Sequence, residues 1–307
     1  MSKIALFVGD VSLDLTMVAD HLPAPDEKVH VDHASEAPGG VVANAAVACA
    51  RTGASVKALL QMGDDAAADV AATGLRERGV DVEFDTVPGR TCRVVVIIEP
   101  HGEKRLLLDP GVSMYPGHAA IERVDLADIG WVHTAVYGDA ARLLVEKCRH
   151  AGVSWSLDLE PASFPSGIQT LVEMIDGASV IFCNDRAAAA IGGDPVAMLL
   201  ALGAKAVIRT LGPIGAQFNA ADQIFDVSAP KLASVIDTTG AGDCLAGWFI
   251  GETIAGLTAE AALKAAVVAA TLSCQALGAQ DSYPNQTEVA AVLNQGLPVP
   301  KTKNEEA

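Results

Sequence analysis

The chain predicts an α/β fold: a three-layer α/β/α sandwich with a mostly parallel central sheet, carrying a small β-lid. Short apolar strands alternate with alanine-rich helical stretches, the pattern of βαβ units lying side by side in one sheet. Two stretches break that rhythm, Asp10–Pro38 and Asp85–Gly111. Both are rich in β-branched residues, Pro and charge, and predict strands outside the main sheet. Half of the 307 residues are hydrophobic, enough to bury a large core beneath one such appendage.

Taken in order, Ile4–Val8 reads as the first strand, and Val41–Arg51 as a helix apolar nearly all round, with Gly53 as its stop. A strand is expected at Val56–Leu60. From Asp65 to Arg78, Ala67, Val70, Ala71, Gly74 and Leu75 fall on one face of an amphipathic helix. Further strands are expected at Trp131–Val136, Val153–Leu157, Val180–Phe182 and Ala206–Ile208. Long helices follow Gly242 and Thr258, and in the second of them Leu263, Val267, Ala270, Cys274 and Leu277 form one core stripe. Within the lid, Arg93–Ile98 and Arg105–Leu108 flank a turn at Pro100–Gly102 and read as a hairpin. The boundaries that follow are 1–9, 39–84 and 112–295 for the body, 10–38 and 85–111 for the lid, and 296–307 for a frayed tail. A small β-appendage has unpaired edges and an apolar face, so two copies are expected to pair through it.

The formal net charge is -17, which leaves no basic field to collect the phosphates of a nucleic acid or an anionic membrane. A small anionic substrate is still permitted, since it needs only one local cluster. Cysteines 49, 92, 148, 183, 244 and 274 form no C-x-x-C pair and mostly sit in apolar runs, as reduced core residues do. Met1 to Val8 lacks the charged and apolar regions of a signal peptide, and no run of about 18 uncharged apolar residues could span a membrane. A cytoplasmic chain is expected.

Chemistry concentrates in Asp237-Thr238-Thr239-Gly240-Ala241-Gly242-Asp243, which opens directly into an apolar helix. Glycines around one alanine let successive backbone N–H groups turn toward a single point at a helix N-terminus, an anion site. Asp243 lies in the first turn. A carboxylate beside an anion hole repels a phosphate that is merely held, but it makes sense as the base that removes a proton from a hydroxyl attacking a phosphoryl group. A second motif, Pro38-Gly39-Gly40-Val41-Val42-Ala43-Asn44, sets paired glycines before a helix so that a ligand can approach backbone, with Asn44 able to meet a polyol. In the third, Gly9-Asp10-Val11-Ser12-Leu13-Asp14, a carboxylate follows the first strand and could bind adjacent hydroxyls. Asp10, Asp158, Asn184 and Thr210 all follow predicted strands, where open α/β sheets bind ligands.

These motifs, in this order, resemble the ribokinase-like (PfkB-type) carbohydrate kinase family over nearly the whole chain. Thr210-Leu211-Gly212-Pro213-Ile214-Gly215 looks like the family's nucleotide strand and turn, and Gly278-Ala279-Gln280-Asp281-Ser282 like its C-terminal cation loop. The resemblance implies ATP-dependent phosphorylation of a hydroxymethyl group on a small sugar, sugar acid or related derivative, with Mg²⁺. Asp243 would be the base, and the N–H groups of Gly240, Ala241 and Gly242 the anion hole. Asp14, Gly39, Gly40 and Asn44 would line the sugar site, and Asn184, Thr210, Gly212 and Gly215 the nucleotide side. Asp237, Thr239, Ser273, Ala276, Gly278 and Ser282 would hold a monovalent cation, K⁺.

The departures bear on the substrate. Ala187 stands where the family's N-x-x-E motif carries the Glu that organises Mg²⁺, Ser12 where many members have Asn, and Asp158-Leu159-Glu160-Pro161 replaces a D-x-N-x-R pattern. Arg90, Arg93, Lys104 and Arg105 fall in one short lid segment. Arg93 or Arg105 pointing inward would indicate an acidic substrate, whereas a solvated hairpin turn would carry no such meaning. A nucleoside kinase on the same scaffold, which needs an added apolar lid pocket, and a non-catalytic sugar-binding regulator are the alternatives.

Overall fold

Two separate sheets organise the chain, one of nine strands and one of four. The structure is a computed structural model and describes residues 3–99, 104–112, 114–135 and 138–295. Its strands are β1 (Ile4–Gly9), β2 (Ser12–Ala19), β3 (Val31–Gly39), β4 (Val56–Met62), β5 (Asp81–Thr86), β6 (Cys92–Ile98) and β7 (Lys104–Asp109). They continue as β8 (Ile129–Ala135), β9 (Ser154–Asp158), β10 (Val180–Cys183), β11 (Ala206–Thr210), β12 (Gly215–Ala220) and β13 (Ile224–Ser228). The helices are α1 (Val41–Arg51), α2 (Ala66–Glu77), α3 (His118–Arg123), α4 (Ala140–Ala151), α5 (Val172–Ile175), α6 (Asp185–Ile191), α7 (Pro195–Ala201), α8 (Ala241–Ile254), α9 (Ala259–Ser273) and α10 (Gln286–Asn294).

The large sheet runs β13-β12-β11-β10-β9-β8-β1-β4-β5, parallel except where β12 pairs antiparallel with β11 and β13. Alternation along each strand feeds two cores. Ala5 and Phe7 of β1 join the cluster of α1, α2, α8 and α9, while Leu6 and Val8 join that of α3, α4, α5 and α7. Helices therefore cover both faces in three layers. β1 lies between β4 and β8, so the strand order turns outward on either side of it. The crevice beyond its carboxyl end is where an open α/β sheet takes a ligand.

The small sheet runs β3-β2-β6-β7 and is built from the two stretches that broke the βα rhythm. Its edges differ from the sequence expectation: Asp85 belongs to β5 of the large sheet, and Gly39 is the last residue of β3. The turn at Pro100–Gly102, Val136 and the tail 296–307 lie outside the described residues.

Helix α2 corrects one expectation, because Val70 is 46% exposed on its outer side. The stripe of the penultimate helix is also shorter than expected: α9 stops at Ser273, Cys274 caps it and Leu277 lies beyond. Asp237 draws the chain into a loop there, its carboxylate accepting from the Gly278 N–H at 3.0 Å. α8 is buried on every side from Cys244 to Gly251. It lies unusually close to α1, since a Cβ on Gly247 would stand 2.2 Å from the Ala45 carbonyl oxygen.

Candidate active site

Asp10 anchors the crevice at the end of β1. Its carboxylate, 2% exposed, accepts from the N–H groups of Val41 at 2.8 Å and Val42 at 3.0 Å. It thus caps α1 in place of Gly40, which has no side chain to do so. Gly40 takes φ 103, and a Cβ there would press on the Asp10 backbone at 2.9 Å. Gly39 is tighter still, for its Cβ would meet the Asp14 carboxylate at 2.1 Å. The paired glycines therefore let β3 pass directly under Asp14. Ser12 donates to Asp14 at 2.5 Å. Burial lifts Asp14 to about 6, against the Ser12 hydrogen bond and with help from the Asp10 charge.

On the facing side, Gly240 begins α8 with φ 73, and a Cβ there would collide with Tyr283 and Ala279. Tyr283 donates its hydroxyl proton to the Gly240 carbonyl at 2.9 Å, and Gly242 opens onto free space. Asp243 accepts from Asn44 Nδ2 at 2.8 Å, and Asn44 Oδ1 in turn accepts from Gln280 Nε2 at 3.0 Å. Both ends of the Asn44 amide are thus engaged, one of them holding the Asp243 carboxylate, a contact that the sequence alone does not disclose. The close α1–α8 packing is what brings Asn44 to that carboxylate. Burial pushes Asp243 up to about 7. Asn44 works against the shift, the Asp10 and Glu160 charges add to it, and Lys104 lowers it. Burial also raises Asp158, reinforced by Asp243, Glu160 and Asp10, and it raises Glu160 despite nearby Arg186. A carboxylate poised near neutrality in the first turn of a helix can take a proton from a hydroxyl.

Behind this terminus, Asp237 is 4% exposed and accepts from the Thr239 N–H at 2.8 Å and the Thr239 hydroxyl at 2.6 Å. Its other oxygen meets Gly278, so the two segments expected to share a cation do come together. Ser273 and Ser282 turn their hydroxyls to the carbonyls of Ala270 and Ala279. On the far strands, Asn184 caps α6 through the Ala187 N–H at 2.9 Å, and Gly212 takes φ 53 with open space beside it. Gly215 is buried with φ 125, its carbonyl accepts from the Leu211 N–H at 2.8 Å to close the turn after β11, and a Cβ there would strike the Val227 carbonyl at 2.0 Å.

The arginines of the small sheet decide between the two readings of the lid charge. Arg93 pairs with Asp65 at 3.3 Å, Arg105 with Glu99 at 3.1 Å and Arg90 with Asp109 at 2.9 Å. Asp14 pairs in register with Val94, whereas Arg93 faces Leu13 and Arg105 faces Ile97, on the opposite side of the sheet. Neither arginine points at the Asp14 site.

A profile described as "pfkB family carbohydrate kinase" matches residues 2–286. The chain belongs to the pfkB family. Among similar proteins, a ribokinase of Bacillus subtilis is 27% identical over 94% of this chain and 98% of its own length. An ATP-dependent ribose-1-phosphate kinase of Halopiger xanaduensis is 29% identical, over 94% and 98% respectively. A solved Arabidopsis thaliana ribokinase, complexed with ribose and ATP, superposes with a TM-score of 0.82 at 24% identity, over 95% of this chain and 99% of that one. It shares the fold. As a member of that family, the chain is a carbohydrate kinase. No helix among its described residues is long and apolar enough to cross a membrane.

Beyond the residues expected from sequence, Gln280, Tyr283 and Lys104 also stand at this candidate site. Gln280 and Tyr283 lie in the stretch read as the cation loop and just after it, so only their side-chain directions were hidden. Lys104 reaches the site through strand order, which no local pattern announces, whereas Glu160 lies just past β9, at a strand end expected to face a ligand.

Proposed function

We propose that this pfkB kinase transfers the γ-phosphoryl group of ATP to a hydroxymethyl group of a small neutral sugar, with D-ribose as the leading acceptor. The observation that carries this reading is Asp243, raised to about 7 at the anion-receptive start of α8 and held by Asn44. The acceptor hydroxyl would sit between Asp14 and Asp243, lose its proton to Asp243 and attack the phosphorus in line. The developing charge would meet the N–H groups of Gly240, Ala241 and Gly242. An uncharged acceptor fits because Arg90, Arg93 and Arg105 are each matched by a carboxylate of the chain itself.

The residues present suit Mg²⁺ held largely by ATP and water. Among the described residues no three His, Cys, Asp or Glu side chains converge to hold an ion, yet Glu160 faces the cleft. Bound there, Mg²⁺ supplies charge neutralisation at the β- and γ-phosphates. Asp185 is the weaker candidate for an outer contact, being engaged by Arg209 at 2.7 Å. Asp237, buried with N–H and hydroxyl donors as its partners and, among the described residues, no ion pair, suits K⁺ together with the nearby Cys274 carbonyl. A cytoplasmic homodimer joined through the small sheet completes the proposal, supported by Leu107, 64% exposed on the face away from Asp14.

One observation favours a nucleoside as second reading. Leu106 and Leu108, 51% and 54% exposed, share the face of Asp14 and would offer a base an apolar wall. ATP turnover on D-ribose, ribose 1-phosphate, gluconate and adenosine separates the possibilities. Turnover of ribose above the others is expected; preference for gluconate or the phosphate ester would refute the neutral-sugar reading, and preference for adenosine would favour the second.

A further inference from the structure

Lys104 opens β7, the outer strand of the small sheet. Its partner in β6 is Ile98, which pairs with Val18 of β2, on the same face as Asp14. Through this ladder it reaches the loop before α8, with Nζ 3.5 Å from Thr239 Oγ1. That distance is the outer limit of an N–H···O contact, so the ammonium lies against the loop without being consumed by it. The Thr239 hydroxyl spends its own proton on Asp237 at 2.6 Å. The neighbouring cations behave differently, since Arg90, Arg93 and Arg105 each pair with a carboxylate within 3.3 Å. Among the described residues Lys104 has no carboxylate partner, although the chain has a net charge of -17. A free ammonium beside the N-terminus of α8 adds to the positive pole of that helix from its open side.

We propose that Lys104 descends from the small sheet onto the phosphoryl group in transit and completes the anion hole of Gly240, Ala241 and Gly242. This rests on the phosphoryl-transfer reading above. In the step, the acceptor oxygen forms a bond to the γ-phosphorus while the bond from that phosphorus to the bridging oxygen of ADP breaks. The acceptor proton passes to Asp243 and the electron pair leaves with ADP. Lys104 exchanges no proton; it meets the charge spread over the peripheral phosphoryl oxygens. Because Asp14 and Lys104 share one strand ladder, seating the acceptor and placing the ammonium become one event.

The intact protein, Lys104→Met and Lys104→Arg are compared by calorimetry for Mg·ADP binding with and without aluminium fluoride, which mimics the phosphoryl group in flight. Aluminium fluoride is expected to tighten Mg·ADP strongly in the wild type and in Lys104→Arg, with ~10- to 100-fold of that gain lost in Lys104→Met. Affinity for Mg·ADP alone should stay within about twofold. Steady-state turnover of D-ribose gives a second readout: kcat is expected to fall ~10²-fold in Lys104→Met with a smaller change in KM.

The acid limb of kcat/KM should also move to higher pH in Lys104→Met, because a cation that holds the Asp243 proton affinity down has gone. The other groups facing Asp243 are Asn44, Asp10, Asp158, Glu160, Cys244 and Tyr283, and all of them remain. A purely structural lysine would shift neither limb nor tightening. Equal tightening in wild type and Lys104→Met overturns the assignment of Lys104 alone. Absence of tightening and of turnover in the wild type overturns the phosphoryl-transfer reading with it. Lys104→Gln serves if the methionine variant does not fold.

Discussion

Replacing Asp243 with Asn should abolish most turnover and, at alkaline pH, make the protein more stable. Asp243 moves from an ordinary 3.8 to about 7 on folding. Each tenfold change in proton affinity is ~1.4 kcal/mol, so keeping it ionised inside the folded protein at pH 8 costs roughly 4 kcal/mol. The sign follows from the direction: the folded value is the higher one, so stability is fully present below the unfolded value and is lost as pH rises through 7. An asparagine keeps an oxygen for the Asn44 amide but brings its own burial cost of about 1–2 kcal/mol. The net gain at pH 8 is therefore ~2–3 kcal/mol, or about 5 °C in Tm for a chain of this size. At pH 5 the native carboxyl is already protonated and the variants should melt within about 2 °C of each other. Loss of a positioned base should lower kcat by ~10² to 10⁴. Calorimetric melts at both pH values and a coupled ADP assay suffice. A Tm difference independent of pH, or a kcat near wild type, would refute the argument.

Other perturbations probe the supports of the site. Gly247→Ala should cost ~1–3 kcal/mol in urea unfolding and lower kcat, because its Cβ would sit 2.2 Å from the Ala45 carbonyl and push α1 away. Gln280→Leu should reduce kcat about tenfold with KM little changed, since Asn44 loses the donor that fixes its amide. Glu160→Gln should raise the Mg²⁺ concentration for half-maximal rate more than Asp185→Asn does, because Asp185 is engaged by Arg209; an equal response would mean that neither acid replaces the glutamate absent at Ala187. Asp237→Asn should remove any stimulation by K⁺ over K⁺-free buffer, and an unchanged salt response would separate that carboxylate from cation binding.

Much of this architecture is legible in the sequence because it is local. Apolar runs mark the central strands to within one or two residues, and the glycine motifs announce the positive-φ backbone of Gly40 and Gly240. What stays hidden depends on pairing across the chain. Arg93 and Arg105 look available in a basic lid segment until strand register turns them from Asp14 toward Asp65 and Glu99. Val70 fits a helical stripe, but the stripe does not say how wide the covered face is. β12 and β13 escape a reading tuned to parallel strands because antiparallel partners at a sheet edge leave polar residues such as Gln217 and Asp226 among the apolar ones.

The contact between Asn44 and Asp243 joins residues 199 positions apart, and the contact that steadies it, from Gln280 to Asn44, spans 236. A polypeptide leaving the ribosome has its Asp14 and its paired glycines early, but it cannot align the base until α8 and the loop carrying Gln280 have emerged and docked. With Asp243 as the proposed base, catalytic competence would therefore wait for the last portion of the body to be synthesised. An incomplete or nicked chain would hold no aligned base with which to spend ATP, and activity measured during refolding should appear as a late phase, after most helical signal has returned.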